Sequence, residues 1–279
     1  MRVLVTGATG RVGSRLVPRL LTHGLEVRAL TRDPERGAAL KAAGAEIATG
    51  DLTGPVDLAA ALDGIDAVVH LATALRSGDA DRGRPVDVDG TRLLGLAARD
   101  AGVRRFVFTS TNLVYGPGRG RPAVEDDVPA PVEFARNPYP VNKAAAEAEL
   151  AGIDGLDPRV LRLPFVYGDG DPHLAEVLRW AVGWPAHKRF QMGHHADIAQ
   201  GVLRALRTEG IGGRTYNIAD EAPVSTLDLF ALNGRPAPAL DAPLEDPWEG
   251  LVSIDRARTE LGFRPIYPTV FSARDAGAL

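Results

Sequence analysis

The chain has 279 residues, 45% of them hydrophobic and 24% charged, so it can bury a sizeable core as one large α/β domain or a domain with a small appendage. Its net charge of −4, from 36 acidic and 32 basic side chains with no dominant basic stretch, argues against nucleic acid as a partner. Zero cysteines exclude a disulfide framework, a thiolate nucleophile and a Cys-based metal site, and no apolar run approaches the roughly 18 residues of a membrane span.

The first element is an apolar run, Arg2-Val-Leu-Val-Thr6, which leaves no room for a cleaved leader, so a cytoplasmic protein is expected. It runs into Gly7-Ala-Thr-Gly10-Arg-Val-Gly13 and then an amphipathic segment carrying Leu16, Val17, Leu20 and Leu21. That is a buried strand turning into a helix through Gly-x-x-Gly-x-x-Gly. Glycine is needed where the turn is tight, where backbone must approach a pyrophosphate, and where the helix must sit close to the sheet. Pro18 falls inside this helix, where it removes a hydrogen bond. Further strands are expected at 26–31, 45–49, 66–71, 104–110 and 158–163, with helices at 11–23, 34–43, 55–62, 84–101 and 138–152 between them. The strands are short and rich in Val, Ile and Leu without polar alternation, as when helices cover both faces. Alternation of this kind predicts a Rossmann-type doubly wound parallel sheet.

Two Gly-, Pro- and charge-rich stretches, 76–85 and 116–137, are too long for simple connections and follow the fourth and fifth strands, at the edge where such sheets bind ligands. After residue 165 the regularity fades. Helices are expected at 172–183, 195–208 and 225–232, a strand at 214–218, and only one helical stretch, 255–261, in the proline-rich tail. The division expected is a dinucleotide-binding domain over 1–165 and a smaller substrate-binding region over 166–279, interleaved with the first.

Tyr139-Pro-Val-Asn-Lys143 opens a helix and places Tyr139 and Lys143 on one face. A nearby ammonium favours the phenolate, so the tyrosine is expected to titrate below its usual value near 10. A tyrosine tuned in this way can exchange a proton with a substrate oxygen while hydride moves to or from a nicotinamide. Ser110 and Thr111 put hydroxyls at the carboxyl end of the fifth strand, where one can hold the reacting oxygen. His173, His187, His194 and His195 lack a carboxylate partner at metal-ligand spacing and are read as loop or motif histidines, with no metal.

Taken together, these residues resemble the extended short-chain dehydrogenase/reductase superfamily, in its NAD-dependent epimerase/dehydratase branch. The resemblance covers residues 1–220 and rests on Thr6–Gly13, Gly50-Asp51-Leu52, His70-Leu71-Ala72, Ser110–Gly116, Tyr139-x-x-x-Lys143, Arg162–Gly168, His194–Ala199 and Tyr216-Asn217-Ile218. It implies Tyr139 as general acid/base, Lys143 as its electrostatic partner and holder of the nicotinamide ribose, and Thr111 as the hydroxyl residue. Gly7, Thr9, Gly10, Arg11, Val12 and Gly13 would cradle the pyrophosphate, Asp51 and Leu52 contact adenine, and Leu71 and Ala72 wall the cofactor. Pro164 and Val166 would flank the nicotinamide, with Asn112 and Phe165 on the substrate side. Asp197 is either part of that motif or a cap of the helix 195–208. A homodimer through helices 84–101 and 138–152 is a family-level expectation.

The acid that would bind a ribose 2′-hydroxyl belongs at the end of the second strand, where this chain has Thr31 and Arg32, with Asp33 one step further. A guanidinium there suits a 2′-phosphate, and Arg11 adds charge nearby, so NADP is preferred over NAD. Enzymes of nucleotide sugars in this family usually carry Asn at the position of Phe165 and again at that of Asp87. The stretch from Gly170 to His194 is short and carries Trp180, Trp184 and Phe190, with Lys188 and Arg189 its only evident phosphate-binding basics. The reading is an NAD(P)-dependent oxidoreductase of a small carbonyl or alcohol. The alternatives are a nucleotide-sugar epimerase or dehydratase with retained cofactor, and a non-catalytic NAD(P)-binding regulatory protein.

Overall fold

Seven short runs pair in parallel to form one sheet. We describe it from a computed structural model, over residues 1–53, 58–75, 83–133, 137–237 and 243–279. In chain order the first half comprises β1 (Arg2–Thr6), α1 (Arg11–Thr22), β2 (Glu26–Thr31), α2 (Ala38–Ala42), β3 (Glu46–Thr49), α3 (Leu58–Leu62), β4 (Ala67–His70), α4 (Thr91–Asp100), β5 (Arg105–Thr111), α5 (Tyr139–Ala151) and β6 (Asp157–Leu163). The second comprises β7 (Phe165–Tyr167), α6 (His173–Glu176), α7 (Leu178–Ala181), β8 (Arg189–Phe190), β9 (Met192–His194), α8 (His195–Arg207), β10 (Thr215–Asn217), β11 (Val224–Ser225), α9 (Thr226–Leu232), α10 (Asp255–Glu260) and α11 (Val270–Asp275).

Strand alternation divides the core in two. Val3 and Val5 of β1 pack with Leu16, Val17 and Leu20 of α1 and Ile198 and Val202 of α8. Leu4 points the other way, to Leu62 of α3, Leu94 of α4 and Leu150 of α5. The buried set Gly13, Leu16, Val17 and Leu20 follows the i, i+3, i+4, i+7 stripe of a helix lying on a sheet, and α1 runs through Pro18. A third cluster, including Tyr167, Leu174, Met192, Phe230 and Val270, forms the base of the carboxyl-terminal region.

The two halves share one sheet. β10 pairs with β6 through Thr215–Val160, Tyr216–Leu161 and Asn217–Arg162. The chain winds outward from β1 to β2 and β3, then returns through β4 to the other side, so the crevice between β1 and β4 is the topological switch point. The predicted strands and helices of the first half are present within a residue or two. The expected helix 34–43 is a 3₁₀ turn over Pro34–Gly37 followed by α2, and 84–101 begins as a wide π-type turn over Pro85–Gly90. The region 172–183 divides into α6 and α7, and the tail holds α11 besides the expected helix. Part of each long stretch, 76–82 and 134–136, lies outside the described residues, as does the start of the expected helix 55–62 at 54–57.

A buried ion pair ties this frame together. Arg162 of β6 donates to both oxygens of Glu147 on α5 at 3.1 and 2.6 Å, and its guanidinium lies 4.6 Å from the centre of the Tyr115 ring. The Tyr115 hydroxyl in turn donates to Asn217 of β10 at 2.8 Å. Glu147→Ala leaves the Arg162 charge buried without its counter-charge and should cost about 3–5 kcal/mol in denaturant unfolding. The double replacement Glu147→Leu/Arg162→Met should recover most of that loss.

Candidate active site

At the switch point three backbone segments meet with no room for side chains. Gly7 turns with φ +67°, and a Cβ on it would lie 2.6 Å from the Ala72 nitrogen. A Cβ on Gly13 would lie 2.3 Å from the Gly7 carbonyl oxygen. The loop after β1, the loop after β4 and the first turn of α1 therefore touch backbone to backbone. The Leu71 N–H donates to the Thr6 carbonyl at 3.2 Å and the Ala72 N–H to the Thr6 hydroxyl at 3.4 Å. Gly10 caps α1 without a side chain and the first turn carries no acid, which leaves the opening amides and the positive end of the helix for an anion. This cradle fits a dinucleotide pyrophosphate. Nearby, the Asp51 carboxylate accepts from the Thr53 N–H and hydroxyl at 3.0 and 2.9 Å, and Leu52 packs against Gly90.

Two arginines expected to favour a 2′-phosphate behave differently. Arg32 stands half-exposed at the end of β2, 3.9 Å from Asp51. The adjacent Asp33, exposed, uses its carboxylate to accept from the Glu35 N–H at 3.0 Å, as the cap of the turn 34–37. Arg11, in contrast, reaches away from the ribose end. It donates to Asp171 at 3.1 Å and to both oxygens of Glu176 at 2.8 Å, so the free positive charge expected of it is offset by two carboxylates.

The phenol, the ammonium and the hydroxyl lie together at the edge formed by β5 and α5. The Thr111 side chain is close enough to the Tyr139 phenol to favour its ionised form, while the Thr111 hydroxyl itself accepts from the Leu113 N–H at 3.3 Å. The Lys143 ammonium is buried, donates to the Thr109 carbonyl at 2.9 Å, and sits 4.5 Å from the Phe108 ring centre and 6.0 Å from that of Tyr139. Ser110, the neighbouring hydroxyl, is buried without a hydrogen-bonding partner among the described residues. A residue unassigned by the sequence completes the group. Asp87 is buried in the wide turn before α4, accepts from the Ala74 N–H at 2.9 Å, and its charge acts on both Lys143 and Tyr139. Its one signal in the sequence is an acid where the family usually has Asn.

Electrostatics correct one expectation. Tyr139 titrates above, not below, its ordinary value: burial disfavours the phenolate and the Asp87 carboxylate adds to the shift. Burial pulls Lys143 down to about 8, with Asp87 and Glu147 opposing that shift. The tyrosine is thus held as the protonated, proton-donating form.

Thr111 is level with Leu163 across the β5–β6 ladder, so Pro164, Phe165 and Val166 emerge beside the hydroxyl group. Phe165 stacks on His173 with ring centres 3.7 Å apart and contacts Phe190 at 4.9 Å, which in turn meets Trp184 at 5.2 Å. Trp180, Trp184 and Phe190 also lean on the third core cluster. The Asn112 amide donates to the Gly250 carbonyl at 2.6 Å, tying the tail across this wall. Two basic residues on this side, Lys188 and Arg189, are engaged. Lys188 pairs with Glu249, and Arg189 donates to the Pro247 carbonyl and lies over the Trp248 ring.

Three of the four histidines beyond residue 165, His173, His194 and His195, are occupied in structural ways. His173 donates from Nδ1 to the Val166 carbonyl, His194 caps α8 by accepting from the Ala196 N–H, and His195 donates to Asp171 at 3.0 Å. Asp197 is therefore not the cap of α8. It accepts from the Ile266 and Tyr267 N–H groups at 2.5 and 3.3 Å and holds the tail, with burial raising it to about 6.

Fold and crevice together define a class: a nicotinamide-dependent oxidoreductase built on a Rossmann-type sheet. The model of the NAD-dependent epimerase/dehydratase family matches residues 3–219, and the chain belongs to that family, within the short-chain dehydrogenase/reductase superfamily. It is 34% identical over 244 residues to a 4-hydroxy-2-methyl-3-oxo-4-farnesyl-3,4-dihydroquinoline-1-oxide ketoreductase of Stigmatella aurantiaca, covering 83% of this chain and 72% of that one. It is 33% identical to the sterol demethylase protein B of Methylococcus capsulatus, over 89% and 82% of the two chains. A short-chain dehydrogenase/reductase superfamily protein of Agrobacterium tumefaciens, solved with bound NAD, superposes with a TM-score of 0.80 at 26% identity, over 99% and 96% of the chains.

Proposed function

We propose that the protein is an NADP-preferring reductase of an apolar cyclic ketone. The observation that carries this reading is the state of the substrate side: Phe165, Phe190 and Trp184 line it in contact with one another, while Lys188 and Arg189, the basics a nucleotide diphosphate would need, are bound to Glu249 and Pro247. Residues 1–165 would bind the dinucleotide and 166–279 supply the substrate side. Gly7, Thr9, Gly10, Val12 and Gly13 hold the pyrophosphate, Asp51, Leu52, Leu71 and Ala72 line the adenosine half, and Lys143, Pro164 and Val166 hold the nicotinamide end. When bound, the reduced cofactor supplies hydride to the substrate carbon. Tyr139 gives its proton to the substrate oxygen, Thr111 orients that oxygen, and Asn112 and Phe165 border the substrate. The protein is cytoplasmic and a homodimer in this reading, joined through α4 and α5, whose Leu93 and Val141 are exposed.

The test follows consumption of reduced cofactor by absorbance, with α-tetralone as probe ketone and UDP-glucose as the competing substrate. Net consumption with α-tetralone and none with UDP-glucose is expected. Conversion of UDP-glucose with no net change in cofactor would replace this reading by the epimerase alternative.

Arg32 supplies the cofactor preference. One oxygen of Asp33 is taken by its cap, and the half-exposed Arg32 guanidinium stands at the end of β2, 3.9 Å from Asp51, where it would meet a 2′-phosphate. Arg32→Ala should weaken NADPH binding by about tenfold or more, the scale of one charge-assisted hydrogen bond, and leave NADH binding nearly unchanged. Fluorescence titration of both cofactors measures this.

The reaction should also carry the signature of Lys143. Its ammonium is lost as pH rises through about 8, so kcat/KM for reduction should fall above that value. Asp87 raises Lys143, so Asp87→Asn should move the break to lower pH, read directly from the pH–rate profile.

A further inference from the structure

Arg11 is the first residue of α1, within the phosphate cradle, yet its side chain is not committed to that cradle. It spans to Asp171 at 3.1 Å and to Glu176 at 2.8 Å, on the segment that follows β7. Asp171 is buried and acts as a hub. The oxygen that takes Arg11 also accepts from the His173 N–H at 3.0 Å, while its other oxygen takes the His195 ring at 3.0 Å. One helical turn further, Arg15 donates to the Asp169 carbonyl at 3.2 Å, and a turn beyond that Arg19 pairs with the Asp169 carboxylate at 2.8 Å. Three arginines at i, i+4 and i+8 thus grip residues 169–176 along one side of α1. Asp169 sits in the left-handed region with φ 54°, a conformation that a non-glycine residue keeps only when its surroundings hold it there.

The gripped segment carries the outer layer of the aromatic wall. His173 stacks on Phe165 and donates to the Val166 carbonyl at 2.9 Å, on the strand that emerges beside Thr111. We propose that Arg11 is a positioning residue for the substrate side, not a phosphate ligand: by holding Asp171 and Glu176 it fixes His173 against Phe165 and so sets the shape of the wall. The wall's contact with substrate rests on the function proposed above. The bridge from α1 to the segment does not, and the two are tested separately.

The test uses Arg11→Met, which keeps the apolar stem and removes the charge, and Glu176→Gln, which weakens the same bridge with Arg11 retained. Amide hydrogen exchange followed by mass spectrometry, and NADPH affinity by fluorescence, are measured on the whole protein without any substrate. In both variants exchange over 168–177 should rise, by about tenfold in Arg11→Met, while NADPH affinity stays within about threefold. With α-tetralone, KM should rise more than kcat falls. Unchanged exchange over 168–177 in Arg11→Met overturns the proposal. So does Glu176→Gln tightening NADPH by about tenfold, which would mean that the released guanidinium serves the phosphate. If Arg11→Met does not fold, the Glu176→Gln arms decide alone. Absence of α-tetralone turnover in the wild type would count against the substrate reading and leave the exchange and affinity arms standing.

Discussion

Tyr139→Phe is expected to lower turnover by about 10²- to 10⁴-fold, the usual contribution of a positioned proton donor, with cofactor affinity nearly unchanged. Burial and the Asp87 charge raise the pKa of the phenol above its ordinary value, with Thr111 opposing, so it is held in its protonated form. Such a group suits reduction, in which the substrate oxygen must gain a proton as its carbon gains hydride. The phenylalanine keeps the ring beside Lys143 and removes only the hydroxyl, so packing at the start of α5 is preserved. Cofactor affinity separates chemistry from damage, because a collapsed site would lose NADPH as well. A variant retaining full activity would remove Tyr139 from the reaction.

Gly13→Ala should sharply weaken cofactor binding through a single added methyl. Alanine normally favours a helix over glycine by up to about 1 kcal/mol, so on propensity alone the change would stabilise α1. The added Cβ, however, meets the Gly7 carbonyl oxygen at 2.3 Å and the Ala8 Cα at 2.6 Å, all of it backbone that no rotamer can move aside. Overpacking of this kind costs about 1–3 kcal/mol and outweighs the propensity gain. The relief available is a shift of α1 away from the loop, which withdraws the amides from the phosphates. NADPH affinity should fall by about 10- to 100-fold, the equivalent of one or two hydrogen bonds, with a smaller drop in thermal midpoint.

The parts of this architecture that could be read from the chain are those in which neighbours in sequence are neighbours in space. The glycine loop, the strand that feeds it and the Tyr139–Lys143 pair each lie within a few residues, so spacing alone places them on one turn or one helical face. Arg11 was legible as a charge but not in its use, because Asp171 and Glu176 lie 160 and 165 residues further on. Asp87 was visible only as a departure from the family's usual amide. Its proximity to Lys143 depends on the packing of the wide turn Pro85–Gly90 against α5, and no local pattern encodes that. The expected fall in the Tyr139 pKa failed for the same reason: the helix face was read correctly, but burial and the Asp87 charge come from elsewhere in the fold. Beyond residue 165 the strands are two or three residues long, too short for a period to emerge, so β7, β8, β9 and β11 had no signature.

The placement of β10 outside β6 also governs how this polypeptide can be divided. A fragment ending near residue 165 would leave the outer edge of β6 without β10 and strip α8 from the apolar face of α1. Bare ladder groups and uncovered aliphatic surface invite self-association, so such a truncation would yield sticky, insoluble material instead of a free-standing nucleotide binder. Exchanging the distal half for that of a relative, to transplant specificity, must therefore carry α8 and β10 with the recipient's sheet.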